Sequence, residues 1–167
     1  LRAPDINLEV GSGTHGEQTA AMLVGIERAI RDRSPDWVLI YGDTNSTVAG
    51  AMAAAKLHVP VAHVEAGLRS YNRRMPEEVN RVVADTLSEV LFVPTESARQ
   101  NLLREGVADA RIVWSGDVMY DVTLMFRDVA IERSKIRSEL GLERGGYVLA
   151  TVHRAENTDD PARLETI

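Results

Sequence analysis

Three acidic residues occur where a predicted strand ends or a predicted helix begins. Asp43 follows the apolar run 36–41, and Glu65 closes the apolar run 59–64. Glu77 comes directly after a proline, a residue favoured at the first position of a helix. Carboxylates at such places can act as general acids and bases when the fold brings them together. These three residues are therefore candidate catalytic groups.

Basic residues accompany the acids along the chain. Arg69 lies in the polar loop before the predicted helix, and Arg81 is four residues after Glu77, on the same helix face. His153 closes a later apolar run and is followed by Arg154. Cationic side chains at element ends are well placed to bind phosphate. The combination predicts acid–base chemistry on an anionic substrate.

Each acid also has a structural interpretation that the sequence leaves open. Asp43 could cap the following helix, although Thr44 and its successors could do so equally well. Glu65 could form a structural ion pair with Arg69 or Arg81, and without such a pair its burial would raise its pKa. Glu77 could simply stabilise the start of its helix. His58 and His63 have no setting that suggests a role.

The elements that must position these residues alternate along the chain. Apolar runs predict strands at 5–10, 36–41, 59–64, 90–93, 111–114 and 147–152. Helical periodicity predicts helices at about 14–33, 46–57, 76–87, 97–104 and 120–140. This alternation is typical of βαβ units, so we expect an α/β fold: a Rossmann-like parallel sheet with helices on both faces. Parallel strands end at one edge, which would bring Asp43 and Glu65 together.

The glycines at positions 11, 13 and 16 have the spacing of a dinucleotide-binding motif. The strand before them is weak, however, and Asp43 comes late for the acidic residue that such a motif requires. Thr14 and Glu17 have the spacing of a capping box. A glycine-rich turn before a capped helix is therefore the preferred interpretation.

Composition limits the class of protein. The 167 residues carry 19 basic and 25 acidic side chains, a formal charge of -6, which argues against binding nucleic acid or a membrane surface by bulk attraction. The chain has no cysteine, so a disulfide framework or thiolate metal site is excluded. Without a bilayer-length apolar run or a signal segment, a cytoplasmic protein is expected.

The character of the sequence changes from Val118 onward, and residues 116–119 are interpreted as a domain boundary. We expect residues 1–117 to form most of a first Rossmann-like domain that lacks its amino-terminal strand. Residues 118–167 would supply a linking helix and the truncated start of a second such domain. Because the last helical pattern has barely begun at Pro161, we expect a fragment of a longer protein.

Four strings together resemble the non-hydrolysing UDP-N-acetylglucosamine 2-epimerases. They are GDT at 42–44, HVEAGLR at 63–69, PEEVNR at 76–81 and TVHRAEN at 151–157. The resemblance covers essentially the whole chain, although Gly116-Asp117 stands where some members have Gly-Asn. It implies part of a two-domain fold like that of the glycosyltransferase-B enzymes. It also implies a homodimer when full length, and a role in surface polysaccharide synthesis.

By the same resemblance, Asp43, Glu65 and Glu77 correspond to catalytic carboxylates. Arg81 and His153 correspond to residues that hold the substrate or its diphosphate, and Arg69 is taken as a further substrate-binding residue. The implied reaction interconverts UDP-N-acetylglucosamine and UDP-N-acetylmannosamine through elimination and re-addition of UDP. It would need neither a metal nor a nicotinamide cofactor. The 167-residue chain alone is expected to be inactive.

Other functions stay open at this point. A hydrolysing epimerase would release UDP and free N-acetylmannosamine, and a related nucleotide-sugar enzyme would use the same fold. From a different class, a non-catalytic nucleotide-binding domain would use the carboxylates only as helix caps and ion pairs.

Overall fold

The computed structural model describes residues 3–153 and 155–167, and the chain divides into two compact units, up to Val122 and from Thr123. The first unit contains a four-stranded parallel sheet with the order β1-β2-β3-β4. Its strands are β1 (Val38–Tyr41), β2 (Val61–Val64), β3 (Val90–Val93) and β4 (Ile112–Trp114). The predicted α/β fold with a parallel sheet is confirmed.

Helices separate the strands and continue after the last one. Those between and before the strands are α1 (His15–Arg33), α2 (Asn45–Lys56), α3 (Pro76–Leu87) and α4 (Glu96–Arg104), with a 3-10 turn at Asp109–Arg111. They are followed by α5 (Val118–Arg133), α6 (Ile136–Glu139), α7 (Ala155–Thr158) and α8 (Pro161–Leu164). The described helices begin and end close to the predicted positions in the first unit.

The connecting helices α2, α3 and α4 pack on one face of the sheet. Ile40 and Val61 on this face join a core with the alanines of α2 and α3, and Leu91 packs with Leu102 of α4. This follows from the strand order, because successive right-handed crossovers in one direction place every connecting helix on the same side.

The opposite face of β1 is exposed. The sequence predicts a strand covered on both faces, and this is wrong within the described residues: Leu39 is 48% exposed and Tyr41 is 59% exposed. A continuous apolar run indicates that both faces of a strand are suited to burial. It does not indicate which element of the protein packs against each face.

Two predicted strands do not form. Residues 5–10 run without regular structure, and Leu8 packs its side chain against Gly25 of α1. Residues 147–152 are likewise irregular, with Val148 93% and Leu149 86% exposed. A strand is stabilised by the ladder it shares with a neighbour, and neither run has a ladder partner among the described residues.

The predicted helix 120–140 is interrupted. Helix α5 ends at Arg133 and α6 begins at Ile136, while Gly141 ends the pattern with a left-handed φ of +64° as expected. No residue of α5 or α6 is buried. Because helices depend mainly on packing of an apolar face, nothing holds this stretch as one continuous helix.

The start of α1 follows the prediction. The backbone N–H of Glu17 donates to the Thr14 hydroxyl (3.3 Å), and the Glu17 carboxylate accepts from the Thr14 N–H (3.0 Å). This reciprocal pair is a capping box, and it lowers the pKa of Glu17. The glycine-rich segment before it is therefore the turn that precedes a capped helix.

Gly67 marks the closest approach of the loop after β2 to α4. Its φ is +78°, and an added Cβ would lie 2.5 Å from the backbone oxygen of Ala98. Its N–H donates to Asp85 Oδ2 (3.1 Å), and its carbonyl accepts from Asn101 Nδ2 (2.9 Å). A side chain at this position would push the loop away from both partners.

Replacing Gly67 with alanine is expected to lower the free energy of unfolding by about 2 kcal/mol or more, because backbone strain and a steric clash add together. Gly106→Ala is the matched control, since Gly106 has a φ of +86° but open space around its Cα. Urea denaturation measures both variants. Equal losses of stability would show that the contact with α4 contributes nothing.

Candidate functional site

Asp43 and Arg81 form the centre of the candidate site. Asp43 follows β1, and its carboxylate accepts a charged hydrogen bond from the guanidinium of Arg81 in α3. The side chain of Arg81 is 13% exposed and that of Asp43 is 32% exposed, so the ion pair is accessible from solvent but largely shielded from it. Two segments 38 residues apart in sequence are thereby joined at the carboxyl edge of the sheet.

Of the capping residues that the sequence left open for α2, the structure uses Thr44 and not Asp43. Thr44 is the N-cap residue of this helix, and its N–H donates to the Thr47 hydroxyl (3.2 Å). The carbonyl of Asp43 instead accepts from Asn80 Nδ2 (2.9 Å). Asn80 is a site residue that the sequence analysis missed, although it stands within the PEEVNR string that contains Glu77.

Glu78 links Arg81 to the loop after β2. Its buried carboxylate accepts from the N–H and hydroxyl of Ser70 (both 2.9 Å), the N–H of Tyr71 (3.0 Å) and Arg81 (3.2 Å). Burial acts to raise the pKa of Glu78, but these hydrogen bonds and the charge of Arg81 outweigh it, and the pKa is lowered. Glu78 therefore stays ionised and holds the loop against α3.

Glu65 occupies a strained position at the end of β2. Its φ is +73°, in the left-handed region where a side chain costs about 1–3 kcal/mol, and strain of this kind concentrates at functional sites. Its carboxylate lies beside the turn after β1, since a Cβ added to Gly42 would be 3.7 Å from Glu65 Oε2. The turn carrying Asp43 and the strand carrying Glu65 therefore meet, as predicted.

The environment of Glu65 favours its protonated form. Burial raises the pKa of Glu65, and the nearby carboxylates of Asp43 and Asp117 raise it further. The positive charge of Arg81 and the neighbouring ring of His63 act in the opposite direction and only partly offset this effect. A carboxyl group whose pKa is raised above the ordinary value is a better candidate for proton exchange than an unperturbed one.

Glu77 lies in the first turn of α3 and is exposed. It precedes the buried Glu78, and it stands one helical turn before Arg81 on the same face. Neighbouring acids in one helix thus have different surroundings. Its part in catalysis stays a prediction.

Arg69 is placed differently from its prediction as a substrate-binding residue. Its side chain is only 1% exposed, and it forms ion pairs with Asp85 (2.7 Å) and Glu105 (2.7 Å). Its Nη1 also donates to the carbonyl of Leu68 (2.8 Å). The guanidinium is occupied by protein groups, so this geometry leaves Arg69 a structural part in holding the loop.

His153 belongs to the second compact unit and is exposed in an irregular segment. The neighbouring Arg154 lies outside the described residues. The role predicted for His153 in holding the diphosphate therefore stays a prediction.

A buried histidine was missed by the sequence analysis. His63 is fully buried in β2, with Nδ1 2.7 Å from Asp85 Oδ1 and Nε2 2.8 Å from the carbonyl oxygen of Gly42. The available signal was Asp85, an acid on an otherwise apolar stretch of α3. A buried acid requires a partner, and His63 is one of those that it finds here.

Two classes of site are not seen in the part of the chain that the structure describes. No group of three or more His, Cys, Asp or Glu side chains there could hold a metal ion. No helix there is long and apolar enough to cross a membrane.

A parallel α/β sheet with acids and an arginine at its carboxyl edge has the architecture of a Rossmann-like domain. Comparison with known proteins agrees with this description. The family model for UDP-N-acetylglucosamine 2-epimerase matches residues 1–167. The chain belongs to this family, as the resemblance predicts.

Curated relatives show the extent of the match. The chain is 54% identical to the UDP-2,3-diacetamido-2,3-dideoxy-D-glucuronate 2-epimerase of Pseudomonas aeruginosa, over 98% of this chain and 46% of the relative. It is 48% identical to the UDP-N-acetylglucosamine 2-epimerase of Methanocaldococcus jannaschii, over 100% of this chain and 46% of the relative. The chain thus spans about half the length of these relatives.

A solved structure supports the fold directly. The crystal structure of the Methanocaldococcus jannaschii enzyme in complex with UDP-GlcNAc and UDP matches with a TM-score of 0.91 and 48% identity. The match covers 99% of this chain and 46% of that structure. The chain therefore has the predicted Rossmann-like fold, which forms part of a glycosyltransferase-B-like architecture.

The contribution of the Glu78 hydrogen bonds can be tested by measuring the stability of a variant. Glu78→Gln is expected to lower the free energy of unfolding at pH 7 by about 1–3 kcal/mol, because a buried charged acceptor is lost. The lowered pKa stabilises the fold above the ordinary carboxyl value of 4.5, and this contribution is lost as pH falls through the folded value. The difference in unfolding free energy between Glu78→Gln and wild type should therefore become smaller as the pH falls below the pKa of Glu78 in the folded protein.

Glu77→Gln is the matched control, because it removes the same charge from the exposed neighbouring position. Urea denaturation across the acid range measures all three proteins. If Glu78→Gln were no less stable than Glu77→Gln at pH 7, the network would not hold the loop.

Proposed function

We propose that the complete protein to which this chain belongs is a UDP-sugar 2-epimerase. The observation that carries the proposal is the meeting of two acids in different environments: Asp43 is ion-paired with Arg81, whereas Glu65 has a raised pKa. Groups whose surroundings separate them in this way can divide the acid and base roles of one reaction. Family membership supports the same conclusion.

The chemistry explains the need for several carboxylates. The hydrogen at C2 of the sugar is not adjacent to a carbonyl and is scarcely acidic. In the proposed reaction a carboxylate removes it, the C2–H electrons form a C1–C2 double bond, and the C1–O bond to UDP breaks. A proton then returns to C2 on the opposite face, and UDP adds again at C1. Two faces require at least two acid–base groups.

The cations of the site would serve the departing group. UDP leaves with negative charge on its diphosphate, and fixed cations stabilise charge that develops in a transition state. Arg81 is held in place by Asp43 and Glu78, so its guanidinium is oriented before any ligand arrives. We assign Arg81 and His153 to the diphosphate, and the acids Asp43, Glu65 and Glu77 to proton transfer.

UDP-N-acetylglucosamine is the proposed substrate, because the family and the bound ligand of the Methanocaldococcus jannaschii structure both carry its name. The Pseudomonas aeruginosa relative supports a second candidate, since it acts on UDP-2,3-diacetamido-2,3-dideoxy-D-glucuronate by name and shares 54% identity. Both substrates present UDP at C1 and an acetamido group at C2.

We also propose a cytoplasmic homodimer for the complete protein.

The test is incubation of the complete protein with each UDP-sugar in heavy water. The proposal predicts the C2 epimer of one of them, with deuterium at C2, by mass spectrometry and NMR. Free sugar and UDP would indicate a hydrolysing enzyme. Recovery of both substrates unchanged would contradict epimerisation and favour a binding domain.

Substitution of the acids tests their assignment. Asp43→Asn, Glu65→Gln and Glu77→Gln are each expected to lower kcat at least about 100-fold, because each removes a proton-transfer group. Asp32→Asn removes the same charge from an exposed position of α1 and should leave kcat unchanged. A near-normal rate in any of the three variants would remove that residue from the mechanism.

A further inference from the structure

His63 is a buried titratable group that the proposed reaction does not use. Its side chain is inaccessible to solvent, and it lies in β2 two residues before Glu65. One ring nitrogen contacts Asp85 of α3 and the other contacts the carbonyl of Gly42, in the turn that carries Asp43. His63, which lies in β2 before Glu65, therefore contacts the other two segments that supply acids, the turn with Asp43 and the helix with Glu77.

The partners of His63 determine its hydrogens. The Gly42 carbonyl can only accept a hydrogen bond, so Nε2 must donate. Asp85 Oδ2 accepts from the Gly67 N–H (3.1 Å) and pairs with the permanently charged guanidinium of Arg69 (2.7 Å), and both contacts stabilise Asp85 as a carboxylate. Its Oδ1 then also accepts, and Nδ1 of His63 must donate as well. A ring that donates from both nitrogens is an imidazolium.

We propose that His63 is a positioning residue for the candidate site: a buried imidazolium that ties the turn after β1 to α3 and presents a fixed positive charge to Glu65. The charge is neutralised on one side by Asp85, and the exposed carboxylate of Glu105 shares Arg69 with Asp85. This role rests on the proposed function, because it acts through the acids assigned there.

The consequence for the reaction is electrostatic. The pKa of Glu65 is raised by its burial and by Asp43 and Asp117, and it is lowered by Arg81 and by His63. Without the charge of His63, Glu65 would hold its proton to a higher pH. His63 thus keeps a larger fraction of Glu65 ionised, and an ionised carboxylate is the form that can remove a proton.

The first test is the pH dependence of kcat/KM in the complete protein. His63→Gln removes the charge, and the acid limb of the profile is expected to move up by about one pH unit, the shift typical of losing one nearby charge. His58→Gln is the matched control, since His58 is exposed and lies in the connection before β2. An acid limb that stays in place in His63→Gln overturns the proposal.

The second test does not depend on turnover or on the stability of a variant. Heteronuclear NMR of the ring nitrogens in the wild-type complete protein, under the conditions of the kinetic assay, should find a proton on both ring nitrogens of His63. A ring with one unprotonated nitrogen overturns the proposal. Failure of the wild-type protein to convert either UDP-sugar would instead contradict the proposed function, so the two failures are distinguishable.

Discussion

The candidate site depends on the interactions of one buried carboxylate, that of Asp85. It is buried in α3 and binds the imidazole of His63, the guanidinium of Arg69 and the backbone N–H of Gly67. Removing one partner from a buried ion pair typically costs about 3–5 kcal/mol, because the remaining charge is left without compensation. Through these contacts one side chain fixes β2, the loop that follows it, and the turn after β1.

The acidic residues of α3 differ in their burial. Glu78 and Asp85 are seven residues apart, which places both on the buried face, and both hold the loop after β2. Glu77 stands on the exposed side of the same helix. The buried acids are satisfied by protein groups, whereas the carboxylate of Glu77 is accessible from solvent.

Much of this arrangement could be predicted from sequence because it follows from topology. Parallel strands end at one edge, so Asp43 and Glu65 had to meet once the βαβ rhythm was established. Arg69 and His63 could not be placed in the same way. Their residue types are visible in the sequence, but burial and hydrogen-bond partners depend on Asp85 and Glu105, which are far away along the chain. The strands predicted at 5–10 and 147–152 failed for a related reason, since a pattern within one run does not reveal whether a partner strand exists.

In the proposed reaction, acids gathered at the carboxyl edge of the sheet act on C2 of a UDP-sugar. A crystal structure of the complete protein with UDP-N-acetylglucosamine would test this arrangement. We predict at least two of the carboxylates of Asp43, Glu65 and Glu77 within about 3–3.5 Å of C2 or its hydrogen, on opposite faces of the ring. A sugar bound with none of these carboxylates near C2 would exclude proton transfer at C2 by these acids.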